Sequence, residues 1–193
     1  MNQAIELRWH GRGGQGAKTA ALLLAELAHE AGRLAQGFPE YGPERMGAPI
    51  TAYTRVSDRP IRVHSNVYEP DYVAVLDETL LGSVDAARGL KAGGLVVVNT
   101  AATARDVARL LGIPASRVVT VDASGIATGE LGRPIPNVPM LAAVVRASAL
   151  FEEGAFMAAL GGALGHKFAS KPDVVESNLR AARRAYKELS YGD

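Results

Sequence analysis

The residues with the most chemical potential are Gly11, Gly13, Gly14, Gln15, Gly16 and Lys18, in the run Trp9-His-Gly-Arg-Gly-Gly-Gln-Gly-Ala-Lys-Thr19. Gly11, Gly13 and Gly16 fit G-x-G-x-x-G, with Gly14 as an extra glycine inside it. Such a turn lets the backbone approach another group closely and leaves N–H groups at a helix N-terminus facing an anion. Two familiar anions fail. A dinucleotide reader places an acid about 20 residues beyond the glycines, on the ribose hydroxyls. Here Gln36 stands in the second apolar run, with no acid until Glu40. A phosphate-binding P-loop needs Gly-Lys-Ser/Thr in direct succession, and Ala17 separates Gly16 from Lys18. The plain structural alternative is that these glycines only let a strand pack tightly on its helix.

A second stretch, Pro39-Glu-Tyr-Gly-Pro-Glu-Arg-Met-Gly-Ala-Pro49, has no periodicity. Its prolines reduce the entropy lost on ordering. Stiff loops that mix aromatic, charged and glycine residues suit contact surfaces. Glu40, Tyr41, Gly42, Pro43, Glu44, Arg45 and Gly47 are therefore expected to form a docking loop. No Ser-His-Asp grouping and no His pair with metal-ligand spacing is evident, so no catalytic or metal-binding residue is assigned. His10 and His64, at strand ends, are expected to donate to backbone carbonyls. His29 is expected to face solvent, and His166 to sit favourably near a helix C-terminus. Asp77, Glu78 and Asp122 read better as helix caps and first-turn acids than as a carboxylate cluster.

Elements must exist to hold these residues. Ile5–Trp9 reads as a strand, Gln15–Ala31 as a helix ended by Gly32, and Leu34–Phe38 as a second short strand. Ile50–Val56 alternates like a half-buried strand, and Ile61–Val63 is expected to return beside it as a hairpin. Tyr72–Leu76, Leu95–Val98 and Val118–Val121 are unbroken apolar runs, the pattern of parallel strands buried on both faces. Helices are expected near Thr79–Arg88, Ala104–Leu111, Met140–Phe151, Phe156–Leu164 and Pro172–Leu189. The expected fold is a single three-layer α/β domain over residues 1–193: a mostly parallel, doubly wound, Rossmann-like sheet with a hairpin insertion and C-terminal helices. Ligands of such sheets bind beyond the carboxyl ends of the strands. That edge would carry the glycine turn, Asp77-Glu78, Asn99-Thr100, Asp122–Ser124 and Asn137.

Composition narrows the function. The 193 residues carry a net charge of +1 and 6% aromatics, which gives no pull towards nucleic acid or an anionic membrane. There is no cysteine, hence no disulfide, thiolate zinc site or iron–sulfur ligation by this chain. Neither a signal-peptide pattern nor a membrane-spanning apolar run is visible, and the chain is expected to be soluble and cytoplasmic.

Three stretches, Gly11–Thr19, Phe38–Ile50 and Arg55–Ile61, closely resemble the gamma-type subunits of the 2-oxoacid:acceptor oxidoreductases, the pyruvate:ferredoxin type above all. The likeness runs on through Asn137-Val-Pro-Met-Leu141 and Phe168–Tyr186. Met46 departs from it, standing where many relatives carry a second arginine. The resemblance implies an accessory, non-catalytic subunit of an enzyme that converts a 2-oxoacid and coenzyme A to acyl-CoA, carbon dioxide and reduced ferredoxin. Thiamine diphosphate with magnesium and iron–sulfur clusters would be carried by alpha, beta and ferredoxin-like delta partners. The glycine turn and Lys18 would serve coenzyme A phosphates or a subunit contact, and Arg45 would pair with a partner carboxylate or a phosphate. Two alternatives remain open: a stand-alone nucleotide- or CoA-binding module, and a free dehydrogenase, which Gln36 disfavours.

Overall fold

A computed structural model describes residues 4–40 and 46–192 of the chain. The first strand, β1 (Ile5–Arg12), continues past the expected end at Trp9. Gly11 makes this possible, because a Cβ there would lie 2.9 Å from that of Ala17 on the following helix. Leu7 and Trp9 point to one face of the sheet, Arg8 and His10 to the other. Helix α1 (Ala17–Glu30) starts later than expected. Its N-cap, Gly16, has φ +85°, a conformation that keeps Gln15 and Gly16 outside the helix.

The largest departure from expectation follows. β2 (Leu34–Pro39) pairs antiparallel with β3 (Pro49–Ser57), and β3 in turn pairs antiparallel with β1. The hairpin is thus made by β2 and β3 around the 39–49 loop, not by β3 and Ile61–Val63, which form no strand. Continuing from β3, residues 58–71 cross the face of the sheet opposite α1. β4 (Tyr72–Val75) then pairs parallel with β1, followed by β5 (Leu95–Asn99) and β6 (Val118–Val121). A two-residue β7 (Ser190–Tyr191) closes the far edge. The seven-stranded order is β2-β3-β1-β4-β5-β6-β7, a mixed sheet whose central strands are parallel.

Two helix expectations change. Thr79–Arg88 contracts to a 3-10 helix, Glu78–Gly82, followed by turns. The Arg8 guanidinium takes the carbonyls of Ala86 and Arg88 (3.1 and 2.6 Å), fixing this segment in an irregular path. Conversely, Ala123–Leu131 is a helix that periodicity did not reveal, because Gly125 and Gly129 weaken its helical propensity. Asp122 caps it by accepting from the Gly125 N–H at 2.8 Å. Helices α2 (Ala104–Leu111), α3 (Ala123–Leu131), α4 (Asn137–Ser148), α5 (Glu153–Lys167) and α6 (Pro172–Lys187) complete the chain.

The helices are unequally shared. α1, α3, α4, α5 and α6 enclose one large core with Leu7, Trp9 and Leu76 of the sheet region. Every residue from Val138 to Val145 of α4 is buried, so that helix is enclosed on all sides. On the opposite face α2 and the 3-10 segment cover only β4, β5 and β6.

Candidate functional site

The glycine turn is stitched to the root of the hairpin. Gly13 forms a bridge with Met46; its N–H donates to Ala48 O at 2.9 Å, and its carbonyl accepts from Gly47 N at 3.1 Å. Within the turn, Gln15 N–H donates to Arg12 O at 3.1 Å and the Gln15 Oε1 accepts from Arg12 N–H at 2.8 Å. Three of the amides that could face an anion therefore already have protein acceptors. A Cβ on Gly14 would stand 3.0 Å from Met46 Sδ, and one on Gly16 would stand 2.8 Å from Asn137 Cβ. Asn137 does reach the expected edge, lying over the turn. Lys18 is exposed in the first turn of α1.

Side chains lock this arrangement. Arg12 donates from Nη1 to Gly47 O at 3.1 Å and from Nη2 to Thr79 Oγ1 at 2.8 Å, with Nε 3.3 Å from Asp77 Oδ2. Gln15 Nε2 donates to the same Asp77 oxygen at 2.5 Å. Burial acts to raise the Asp77 pKa, but hydrogen bonds from Thr79 and Gln15 and the Arg12 charge outweigh it and hold the carboxyl below its ordinary range. Asp77 thus ties β1, the hairpin root and the 3-10 segment together. Met46 projects from this root at 90% exposure, and Glu40 is exposed on the other arm. Tyr41, Gly42, Pro43, Glu44 and Arg45 lie outside the described residues.

The rest of the carboxyl edge does local structural work. Thr100 Oγ1 donates to Glu78 Oε2. Asn99 donates to Leu76 O at 2.8 Å and accepts from Ser124 N–H at 3.0 Å, joining β5 to β4 and α3. Asp77 and Asp122 are caps, as expected, and no carboxylate cluster results. Among the described residues no group of three or more His, Cys, Asp or Glu is placed to hold a metal ion. No helix there is long and apolar enough to cross a membrane.

Two buried arginines were not legible as such. Arg55, 2% exposed, pairs with Glu6 at 2.7 Å, lies over the Phe38 ring and donates to Ser65 O at 2.8 Å. It nails residues 61–67 to the part of the face opposite α1 that α2 does not reach. Arg8 does the same for residues 84–90, and its Nε donates to His10 Nε2 at 3.1 Å. Among the described residues His10 accepts from Arg8 through Nε2, and no bond from its ring to a carbonyl is found. Burial first, and the Arg8 charge second, push its pKa down to about 4, so the ring is neutral. Tyr53 donates to Glu40 at 3.2 Å; burial and then the Glu40 charge push its pKa up to about 12. His64 and His29 are exposed, and His166 sits in the last turn of α5. A cleft of about 860 Å³ opens between α1, α5 and α6, lined by Leu23, Ile135, Phe168 and Val174 and reaching Asn137. It gathers residues from five helices, α1, α3, α4, α5 and α6, which no local pattern announces.

With this geometry in hand, comparison with known proteins is informative. Residues 6–188 match the model of the family described as pyruvate ferredoxin/flavodoxin oxidoreductase. The chain is 45% identical over 186 residues to the pyruvate/ketoisovalerate oxidoreductases common subunit gamma of Thermococcus kodakarensis, covering 94% of this chain and 95% of that one. It is 46% identical over 185 residues to the pyruvate synthase subunit PorC of Thermotoga maritima, covering 96% and 94%. The crystal structure of pyruvate oxidoreductase subunit PORC from Thermotoga maritima superposes with a TM-score of 0.83 at 39% identity, over 97% of this chain and 98% of that one.

Proposed function

Because this chain belongs to the pyruvate ferredoxin/flavodoxin oxidoreductase family, we propose that it works as the gamma subunit of a pyruvate:ferredoxin oxidoreductase, contributing architecture and not bond-breaking chemistry. The observation that carries this reading is near full-length likeness to gamma and PorC subunits, in a chain whose polar edge residues are consumed by its own fold. The complex would join a 2-oxoacid to coenzyme A and pass electrons to ferredoxin. Its thiamine diphosphate, magnesium and iron–sulfur clusters would sit on alpha, beta and delta partners. The donor set here does not fit a cluster, since 193 residues without cysteine offer no thiolate.

Within that role, the glycine turn and the hairpin form the contact edge towards the catalytic partners. The paired amides of Arg12, Gly13 and Gln15 favour a subunit contact over a coenzyme A phosphate site at the turn. The Arg12–Asp77–Gln15 lock then pre-organises the docking arm, so that little ordering is left to do on assembly. Lys18 and Arg45 would supply its charge. Co-purification of the tagged chain from its native cells tests the role. The expected result is a complex that turns over pyruvate with coenzyme A and ferredoxin, weakened in assembly by Arg45→Ala. Turnover of pyruvate by the purified chain alone, or absence of thiamine-binding companions, refutes it.

A further inference from the structure

We propose that the outer edge of β2 pairs with β2 of a second copy of this chain, antiparallel about Gln36, to make one continuous sheet across a two-fold axis. β2 is the terminal strand of the sheet, and among the described residues none of its backbone groups bonds outside β3. Strand edges of this kind are ordinarily defended by charge, bulges or very short length. The opposite edge is defended by brevity, β7 being two residues long. By contrast β2 runs six residues, Leu34-Ala-Gln-Gly-Phe-Pro39, with no charged residue. Only Pro39, at its very end, interrupts the donors.

The strand is complementary to itself. A two-fold axis perpendicular to the sheet keeps each face on its own side, so opposed residues must share parity. Centring on Gln36 sets Leu34 against the partner copy's position 38, a phenylalanine, and Gln36 against its own counterpart. Leu34 is 42% exposed and on the same face as Phe38, which already packs on Tyr53 at 5.3 Å between ring centroids. The pairing would cover Leu34 with an aromatic–aliphatic contact, the kind of cross-strand pair that stabilises sheets. On the other face Ala35 meets Gly37, small enough to leave α1 undisturbed; Gly37 already lies against Ala25 of that helix. The flanking charges, Arg33 and Glu40, lie on opposite faces of the sheet and are already held by Asp58 and Tyr53, so the pairing rests on the strand's own uncharged side chains. A second copy satisfies all of these features together. The inference stands apart from the docking role of the hairpin tip.

The absence of cysteine makes the test clean. Opposed Cα atoms in an antiparallel ladder are about 4.5–5.5 Å apart, within disulfide reach. Gln36→Cys in the full chain, under mild oxidation or with a short bis-maleimide, is expected to give covalent dimers. An exposed control, Ser170→Cys, should not. By sedimentation velocity the wild-type chain should be dimeric at micromolar concentration, and Leu34→Lys should weaken association at least tenfold while leaving the circular dichroism spectrum unchanged. A monomeric wild-type chain overturns the proposal, as does a dimer indifferent to Leu34→Lys or cross-linked equally by the control. Cross-linking of Gln36→Cys to a different subunit in the native complex also overturns it.

Discussion

His10 offers the sharpest quantitative test of the sheet face opposite α1. The folded chain holds the imidazole neutral, with its pKa down to about 4, by burial and by the Arg8 guanidinium that donates to it. An unfolded chain returns the ring to an ordinary value near 6.5. Between these values the unfolded state binds more protons, so stability is present in full above pH 6.5 and is lost as pH falls towards 4. Linkage puts the loss at about 2 kcal/mol between pH 7 and pH 5, and about 3 kcal/mol over the whole range. Against a domain stability of about 5–15 kcal/mol this is easily measured. The assay is urea unfolding of the isolated chain at both pH values, compared with His10→Gln, which keeps an acceptor for Arg8 but does not titrate. The wild type should lose about 2 kcal/mol more than the variant on acidification. Equal losses would refute the reasoning, as would an imidazole titrating near 6.5 by NMR.

Three further outcomes follow from named contacts. Gly16→Ala meets both a left-handed φ and Asn137 and should cost about 2–3 kcal/mol, whereas Gly47→Ala, also left-handed but with open space around it, should cost about 1 kcal/mol in the same unfolding assay. Arg55→Met leaves Glu6 without its closest cation and frees residues 61–67; a loss of about 3 kcal/mol and new proteolytic cleavage in that segment are expected. Asp77→Ala removes the anchor of the hairpin root, and should cost about 2 kcal/mol and speed hydrogen exchange at the Gly13 and Gly47 amides. Unchanged exchange there would mean that the lock does not hold the arm.

Much was legible from local pattern because local pattern reports burial. The runs Val73–Val75, Val96–Val98 and Val118–Val121 are buried on both faces, and only parallel strands between layers meet that condition in an α/β chain. Pro172 and Asp173 opened α6 as their chemistry requires, and Asp77 and Asp122 became caps. The glycine turn was also found from its residues, and the family resemblance rested on it. What the turn holds was a different matter. Nothing near Gly13 specifies that its neighbour is Gly47 and Ala48, because the contact closes a loop of over thirty residues.

The same reason separates the two kinds of knowledge elsewhere. Residue type and period determined the central strands and most of the helices, though not the 3-10 segment or α3, and also that no thiolate chemistry belongs to this chain and that its strongest signature is a turn and a stiff loop. Tertiary structure decided that β3 lies between β1 and β2, placing Gln36 one strand away from the glycine turn. It also decided that Arg8 and Arg55 go inward, each as the fastener of an irregular segment. Strand order and the burial of a charge depend on partners distant in sequence. A chain's local periodicity records whether a face is buried, but not by what.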